Sequence, residues 1–232
     1  MILPDLNFHV FIIQNDTNFM KIGIIGSGEV GLKLGDGFLT LGHTVKIGTR
    51  NTSKETITSW IARNGQNATA GSFEDAAFYG DIIFLATLWS GTMEAIKLAN
   101  PRNFVGKIVV DVTNPLDFSK GIPSLAVGHT NSGGEIIQKL LPGAKVVKAF
   151  NTVGNPHFFK PNFPGGLPTM FICGNHLDAK KEITSILSDF GWETVDMGGI
   201  EESRLLEPLA MLWINYYFKT KTGNHAFKML RK

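Results

Sequence analysis

The stretch from Lys21 to Asn51, KIGIIGSGEVGLKLGDGFLTLGHTVKIGTRN, constrains this chain more than any other. Lys21 to Ile25 is a short apolar run with the β-branched residues of a buried parallel strand. Gly26-Ser27-Gly28-Glu29-Val30-Gly31 follows directly and spells G-x-G-x-x-G. In such a turn Gly26 permits the tight reversal, Gly28 lets the backbone approach a pyrophosphate, and Gly31 lets a helix pack closely on the strand. The phosphates then rest on the helix N-terminus. Val30, Leu34, Phe38 and Leu41 recur at helical spacing, which predicts a helix from about Glu29 to Leu41, ended by Gly42. A second strand, Thr44 to Gly48, completes a β-α-β unit. That context turns a weak six-residue pattern into a dinucleotide site on an α/β, Rossmann-type doubly wound parallel sheet.

The end of the second strand selects the dinucleotide. An NAD site places Asp or Glu about 20 residues past the glycines, on the ribose 2′-hydroxyl. Here that place holds Thr49, Arg50 and Asn51. A guanidinium forks onto a 2′-phosphate, a Thr hydroxyl adds a neutral hydrogen bond, and no carboxylate repels it, so NADP(H) is favoured. Lys54 either adds a second positive charge to the same phosphate or is an ordinary solvated lysine.

With 232 residues the chain suits one large domain, or a nucleotide-binding domain with a smaller second one. We expect a Rossmann domain over 20–155 and a smaller C-terminal α/β domain over 156–232. Residues 1–19 read as a non-essential extension, through an upstream start codon or an added strand. The apolar stretch Phe8 to Ile13 is too short to span a bilayer and no positive charge precedes it. A net charge of +2 carries no basic surplus for nucleic acid, and neither a polymer nor a membrane is implied as partner. Cys173 is the only cysteine, which excludes an intrachain disulfide and suits a reducing, cytoplasmic setting. It sits in an apolar run and reads as a buried structural thiol, not a nucleophile. Metallohydrolase, serine hydrolase and P-loop patterns are absent.

Further strand ends converge on the same site. Asp81 to Thr87 is a buried strand followed by Leu88 and Trp89, and in open α/β sheets ligands lie outside the carboxyl ends of strands. Thr87, Leu88 and Trp89 therefore border the nicotinamide half of the cofactor, with Trp89 either walling a flat ring or packing its helix onto the sheet. Lys107 to Val112 ends in Thr113-Asn114-Pro115, where Pro115 stiffens a turn that presents Thr113 and Asn114 to a ligand or is merely structural. Ala144 to Ala149 ends near Asn151 and Thr152, neutral groups suited to orienting a carboxamide or carbonyl. His129, His157 and Lys148 are weak candidates for proton transfer. Three helices are predicted over Asn51 to Asn64, capped by Thr52 or Ser53, over Glu135 to Leu141, capped by Thr130 or Ser132, and over Glu201 to Phe218, kinked at Pro208. Phe158 to Pro168 reads as a loop or lid, and 169–196 as a small β-α-β unit.

These motifs resemble the NADPH-dependent coenzyme F420 reductase family. The likeness rests on KIGIIGSGEVG, GTRN, Trp89, VDVTNPL, VVKAFNTVG and SRLLEPLAMLWI, and extends to the oxidoreductase domain of the STEAP metalloreductases. It implies a two-domain enzyme, usually a homodimer, passing hydride between NADPH and a flavin-like ring (coenzyme F420, FMN or FAD) in an interdomain cleft. By position it places Ser27, Gly28, Glu29 and Val30 on the pyrophosphate, and Thr49, Arg50 and Lys54 on the 2′-phosphate. Leu88 and Asn151 depart from the archaeal pattern, which tends to carry Pro and His there. Hydride transfer between two bound rings needs no metal or nucleophile from the protein, only stacking and exclusion of water, so no catalytic side chain is assigned. The alternatives are an NADPH reductase of a small carbonyl or imine substrate, and a non-catalytic NADP-binding sensor.

Overall fold

The computed structural model describes residues 19–232; the extension expected over 1–19 lies outside them, Phe19 apart. The first β-α-β unit forms as its pattern dictates: β1 (Lys21–Ile25), α1 (Glu29–Thr40) and β2 (Thr44–Gly48). There follow α2 (Glu55–Asn64), β3 (Ala68–Gly71), α3 (Phe73–Tyr79), β4 (Ile82–Leu85), α4 (Trp89–Leu98) and β5 (Ile108–Asp111). A two-stranded hairpin, β6 (Leu116–Asp117) with β7 (Ser124–Leu125), precedes α5 (Gly133–Leu140) and β8 (Lys145–Lys148). The chain ends with β9 (Thr169–Gly174), α6 (Leu177–Asp189), β10 (Glu193–Asp196) and α7 (Ser203–Thr220), in which Pro208 is accommodated.

Among the described residues eight strands form one sheet in the order β10-β9-β8-β5-β4-β1-β2-β3, with every neighbouring pair parallel except β8 and β9. The strand order reverses between β1 and β4, which opens the crevice where doubly wound folds bind ligands. The C-terminal β-α-β unit continues this sheet through Val147 opposite Gly174. Strand residues alternate between two cores. Ile22, Ile24, Phe84 and Val110 pack with Leu34 and Phe38 of α1, Trp60 of α2 and Ile183 of α6. Ile25, Ile83, Leu85 and Val109 pack with Ala76 of α3, Ile96 of α4, Ile137 of α5 and Leu206 of α7.

Two helix starts depart from expectation. Asn51 Oδ1 accepts the Ser53 N–H at 2.9 Å, so a local turn uses the residues expected to cap α2, and the helix starts at Glu55. Ser132 is the cap of α5, accepting the Glu135 N–H at 3.2 Å, and Gly133 and Gly134 form its first turn.

Candidate functional site

A cleft of about 940 Å³ lies over the carboxyl ends of β1, β2, β4 and β5. Of the residues singled out from sequence, Gly26, Ser27, Gly28, Glu29, Val30, Thr49, Arg50, Asn51, Lys54, Thr87, Leu88, Trp89, Thr113 and Asn114 line it. Gly31, Pro115, Asn151 and Thr152 do not. Asn151 and Thr152 are buried instead, because the end of β8 is covered by α7: the Asn151 amide donates to Leu206 O at 3.0 Å and to Asn114 Oδ1 at 3.1 Å. The Asn114 amide returns a bond to Asn151 O at 2.9 Å, so Asn151 reaches the cleft only by holding Asn114. The described lining residues fall between Gly26 and Asn155, within the first of the two units expected from sequence.

The glycine turn is shaped to receive a bulky group. A Cβ added at Gly28 would meet no atom within 4 Å, so the space above it is open cleft at the first turn of α1. The Ser27 and Thr49 hydroxyls lie 2.9 Å apart and tie that turn to the end of β2. Arg50 and Lys54 are exposed there, and they are the cations among the lining residues. These groups fit a phosphorylated dinucleotide: open backbone for a pyrophosphate, a guanidinium and an ammonium for a 2′-phosphate.

The other side of the cleft is largely apolar, with Glu94 of α4 the charged residue on it. Leu88 precedes α4, is 77% exposed and overhangs the cleft beside Trp89. Trp89 is half-buried, lines the cleft and packs against the second core. The Thr87 hydroxyl is spent on Thr92 of α4, at 2.8 Å. Leu116 and Phe118 of the hairpin, Phe73, Ala86, Glu94, Ala95, Leu98, Val112 and Asn155 also line the cleft and were missed by sequence reasoning. Position after a strand end could have found Ala86 and Val112; the hairpin pair carried no signal.

None of the three candidate proton donors lines the cleft. Lys148 is fully buried, with its Nζ 2.6 Å from Asp111 Oδ2 and 3.0 Å from Glu207 Oε1. His129 borders a separate open depression of about 830 Å³ between the β7 segment and α7. His157 faces Asn224 and Phe163. Cys173 is buried against Ser203, and burial pushes its thiol up to about 11, in keeping with a structural role. Among the described residues no cluster of His, Cys, Asp and Glu could hold a metal ion, and no helix is long and apolar enough to cross a membrane.

Known proteins resemble this chain in sequence and fold. A family described as NADP oxidoreductase, coenzyme F420-dependent, matches residues 21–115. The F420-dependent NADP reductase of Methanocaldococcus jannaschii is 29% identical over 221 residues, covering 90% of this chain and 98% of that one. Metalloreductase STEAP3 of Rattus norvegicus is 29% identical over 203 residues, covering 83% of this chain, which spans only 37% of that longer protein. A solved structure of a candidate F420-dependent NADP-reductase from Arthrobacter sp. FB24 superposes with a TM-score of 0.86 at 34% identity, covering 91% of this chain and 100% of that one.

Proposed function

From the premise that this chain belongs to the coenzyme F420-dependent NADP oxidoreductase family and is an NADP(H)-dependent oxidoreductase, we propose that it passes hydride between NADPH and a flavin-like ring. The ring is that of coenzyme F420, FMN or FAD. The observation that carries this reading is the division of the cleft. Arg50 and Lys54 follow β2, whereas Trp89, Leu116 and Phe118 follow β4 and β5. From β2 to β5 the sheet takes three strand spacings, roughly 14 Å, which separates a phosphate-binding end from an apolar end.

NADPH supplies the hydride when bound. The chain's own residues then bind, orient and exclude water. Gly26 to Val30 and the start of α1 take the pyrophosphate, Thr49, Arg50, Asn51 and Lys54 take the 2′-phosphate ribose, and Thr87, Thr113 and Asn114 edge the nicotinamide. Leu88, Trp89, Leu116 and Phe118 give a flat acceptor an apolar wall and keep water from the transfer. Among the described residues, the ionisable groups lining the cleft are Glu29, Arg50, Lys54 and Glu94, with no His, Cys or Tyr. That favours ring-to-ring transfer over reduction of a carbonyl or imine, which calls for a proton donor at the substrate. We extend the proposal to a homodimer in the cytoplasm, with residues 20–155 as the cofactor unit and 156–232 as the unit that supports the acceptor side. Leu205, Leu212 and Tyr216, exposed on α7, offer a second copy an apolar face.

The test is loss of NADPH absorbance with F420, FMN, FAD, a ferric chelate and small carbonyls as acceptors, repeated with NADH. Turnover with one ring acceptor and NADPH is expected; turnover with a carbonyl alone would overturn the acceptor class, and tight NADPH binding without any turnover would leave a sensor. In the same assay Arg50→Ala weakens NADPH binding by about 1–3 kcal/mol, the worth of a charged hydrogen bond, and leaves NADH binding unchanged. Equal losses for both nucleotides would sink the 2′-phosphate role of Arg50.

A further inference from the structure

We infer that the buried triad Asp111–Lys148–Glu207 is a positioning device for the acceptor side of the cleft, holding the Thr113–Asn114 turn and the Trp89 ring in place without touching cofactor or acceptor. The inference rests on the reading of that cleft as a hydride-transfer site.

The three side chains come from β5, β8 and α7 and are 0%, 0% and 1% exposed. Asp111 and Lys148 use further hydrogen bonds on the Thr113 turn at the cleft, and Glu207 on the first turn of α5, which packs behind Trp89. Asp111 Oδ1 accepts both the backbone N–H of Thr113, at 2.9 Å, and its hydroxyl, at 2.7 Å. Lys148 Nζ, besides its two carboxylates, donates to Thr113 O at 2.9 Å. The turn that carries Thr113 and Asn114 is therefore gripped through its donor, its acceptor and its side chain. On the other flank Glu207 accepts the N–H groups of Gly133 at 3.0 Å and Gly134 at 3.1 Å, the first turn of α5. Gly133 in turn lies against the cleft wall: a Cβ added there would sit 3.0 Å from Glu207 Oε1, 3.2 Å from Trp89 Cζ3 and 3.4 Å from Pro115 Cδ.

Stability does not require this construction. A buried ion triad can often be replaced by apolar residues of similar volume at no loss, because desolvation offsets most of its attraction. Apolar packing could not, however, fix the donors of Thr113, Gly133 and Gly134 in direction. The bond from Asn151 to Leu206 O, one residue before Glu207, adds a second tie from α7 to Asn114. The last helix thus sets, through two neighbouring residues, the groups on both sides of the acceptor end. A supporting shell of this kind keeps stacked rings within transfer distance.

Two variants of the full chain test this. Glu207→Gln leaves a neutral Lys148–Asp111 pair and removes one of the two anchors on α5; Gly133→Ala leaves the charges alone and presses a methyl between Glu207, Trp89 and Pro115. For each, thermal unfolding, NADPH affinity and acrylamide quenching of Trp89 are measured, with the Trp89 signal taken as the difference from the corresponding Trp89→Phe protein. Turnover with the acceptor found above is read alongside. Both variants are expected to remain folded and bind NADPH within threefold of the parent, while the quenching constant of Trp89 at least doubles and kcat falls at least tenfold with little change in KM. Unchanged quenching and kcat in both would overturn the proposal. So would a loss of NADPH affinity in step with the thermal midpoint, or loss of the folded state in both, since either assigns the triad to stability alone. If the parent turns over no acceptor, the function reading fails, and the quenching of Trp89 still decides this one.

Discussion

Replacing Lys148 with methionine is expected to lower folding stability by about 3–5 kcal/mol, read as a drop in the urea midpoint at unchanged slope. The size follows from what remains. Asp111 and Glu207 are as buried as Lys148, and without the ammonium two carboxylates share one dry site. Adding Asp111→Asn to Lys148→Met should recover part of the loss, because a single buried carboxylate, still bonded to Gly133 and Gly134, is then left. The pH dependence has a definite sign. Burial works to lower the Lys148 pKa, but Asp111 and Glu207 outweigh it and hold it above the ordinary lysine value. A folded-state value above the unfolded one, about 10.4, means the contribution is complete below that pH and is lost as pH rises through the folded value. The share of the parent's stability that comes from charged Lys148 should therefore be constant around neutrality and be lost only in strong alkali. A loss under 1 kcal/mol at neutral pH would show that the triad is not held as an ion pair.

Much of the fold was legible because a parallel sheet covered on both faces writes its strands as unbroken apolar runs. The four residues of β4 are all buried, and the six of β9 nearly so. Joined to G-x-G-x-x-G and its helix, such runs leave few topologies. What local pattern could not supply was pairing across long separations. The opposition of Val147 and Gly174, which attaches β9 and β10 to the main sheet, has no trace in either strand's own sequence. The β6–β7 hairpin was missed for a different reason: two residues per strand are too few for an alternation to register.

The candidate site was legible where it depends on chain geometry alone. A residue just past a strand near the switch point faces the crevice whatever its neighbours do, and this holds for Ser27, Thr49, Thr87 and Thr113. Asn151 and Thr152 obey the same rule at β8, yet α7 covers that strand end and claims the Asn151 amide. Phe118 and Glu94 approach the cleft from a loop and a helix face, where no periodicity points inward. Lys148 carried a warning that went only half used. A lysine inside the apolar run VVKAF needs a buried counter-charge. Asp111 and Glu207, 37 residues before and 59 after, supply it only through the tertiary fold.

Gly26→Ala should strongly destabilise the fold under conditions where Gly28→Ala leaves it intact, although both change one glycine of the same motif. Gly26 has φ of +129°, a region that residues with a side chain rarely adopt, and an added methyl would lie 2.3 Å from the carbonyl oxygen of Ala86. Strain and overlap together cost roughly 3–5 kcal/mol, since the opposing atoms are backbone at the end of β4 and cannot give way cheaply. At Gly28 φ is −80°, which alanine adopts freely, and the methyl meets nothing within 4 Å. The thermal midpoint of Gly28→Ala should thus stay within about 2 °C of the parent, as for a surface substitution. On the site reading proposed above, that methyl would occupy the space a pyrophosphate needs above the first turn of α1. NADPH affinity should fall by roughly tenfold or more, about the worth of one lost charged hydrogen bond. Calorimetric titration of both variants separates the two roles: a folded Gly28→Ala protein with unaltered NADPH affinity would remove the phosphate from this turn, and a normally stable Gly26→Ala protein would remove the steric demand at the end of β4.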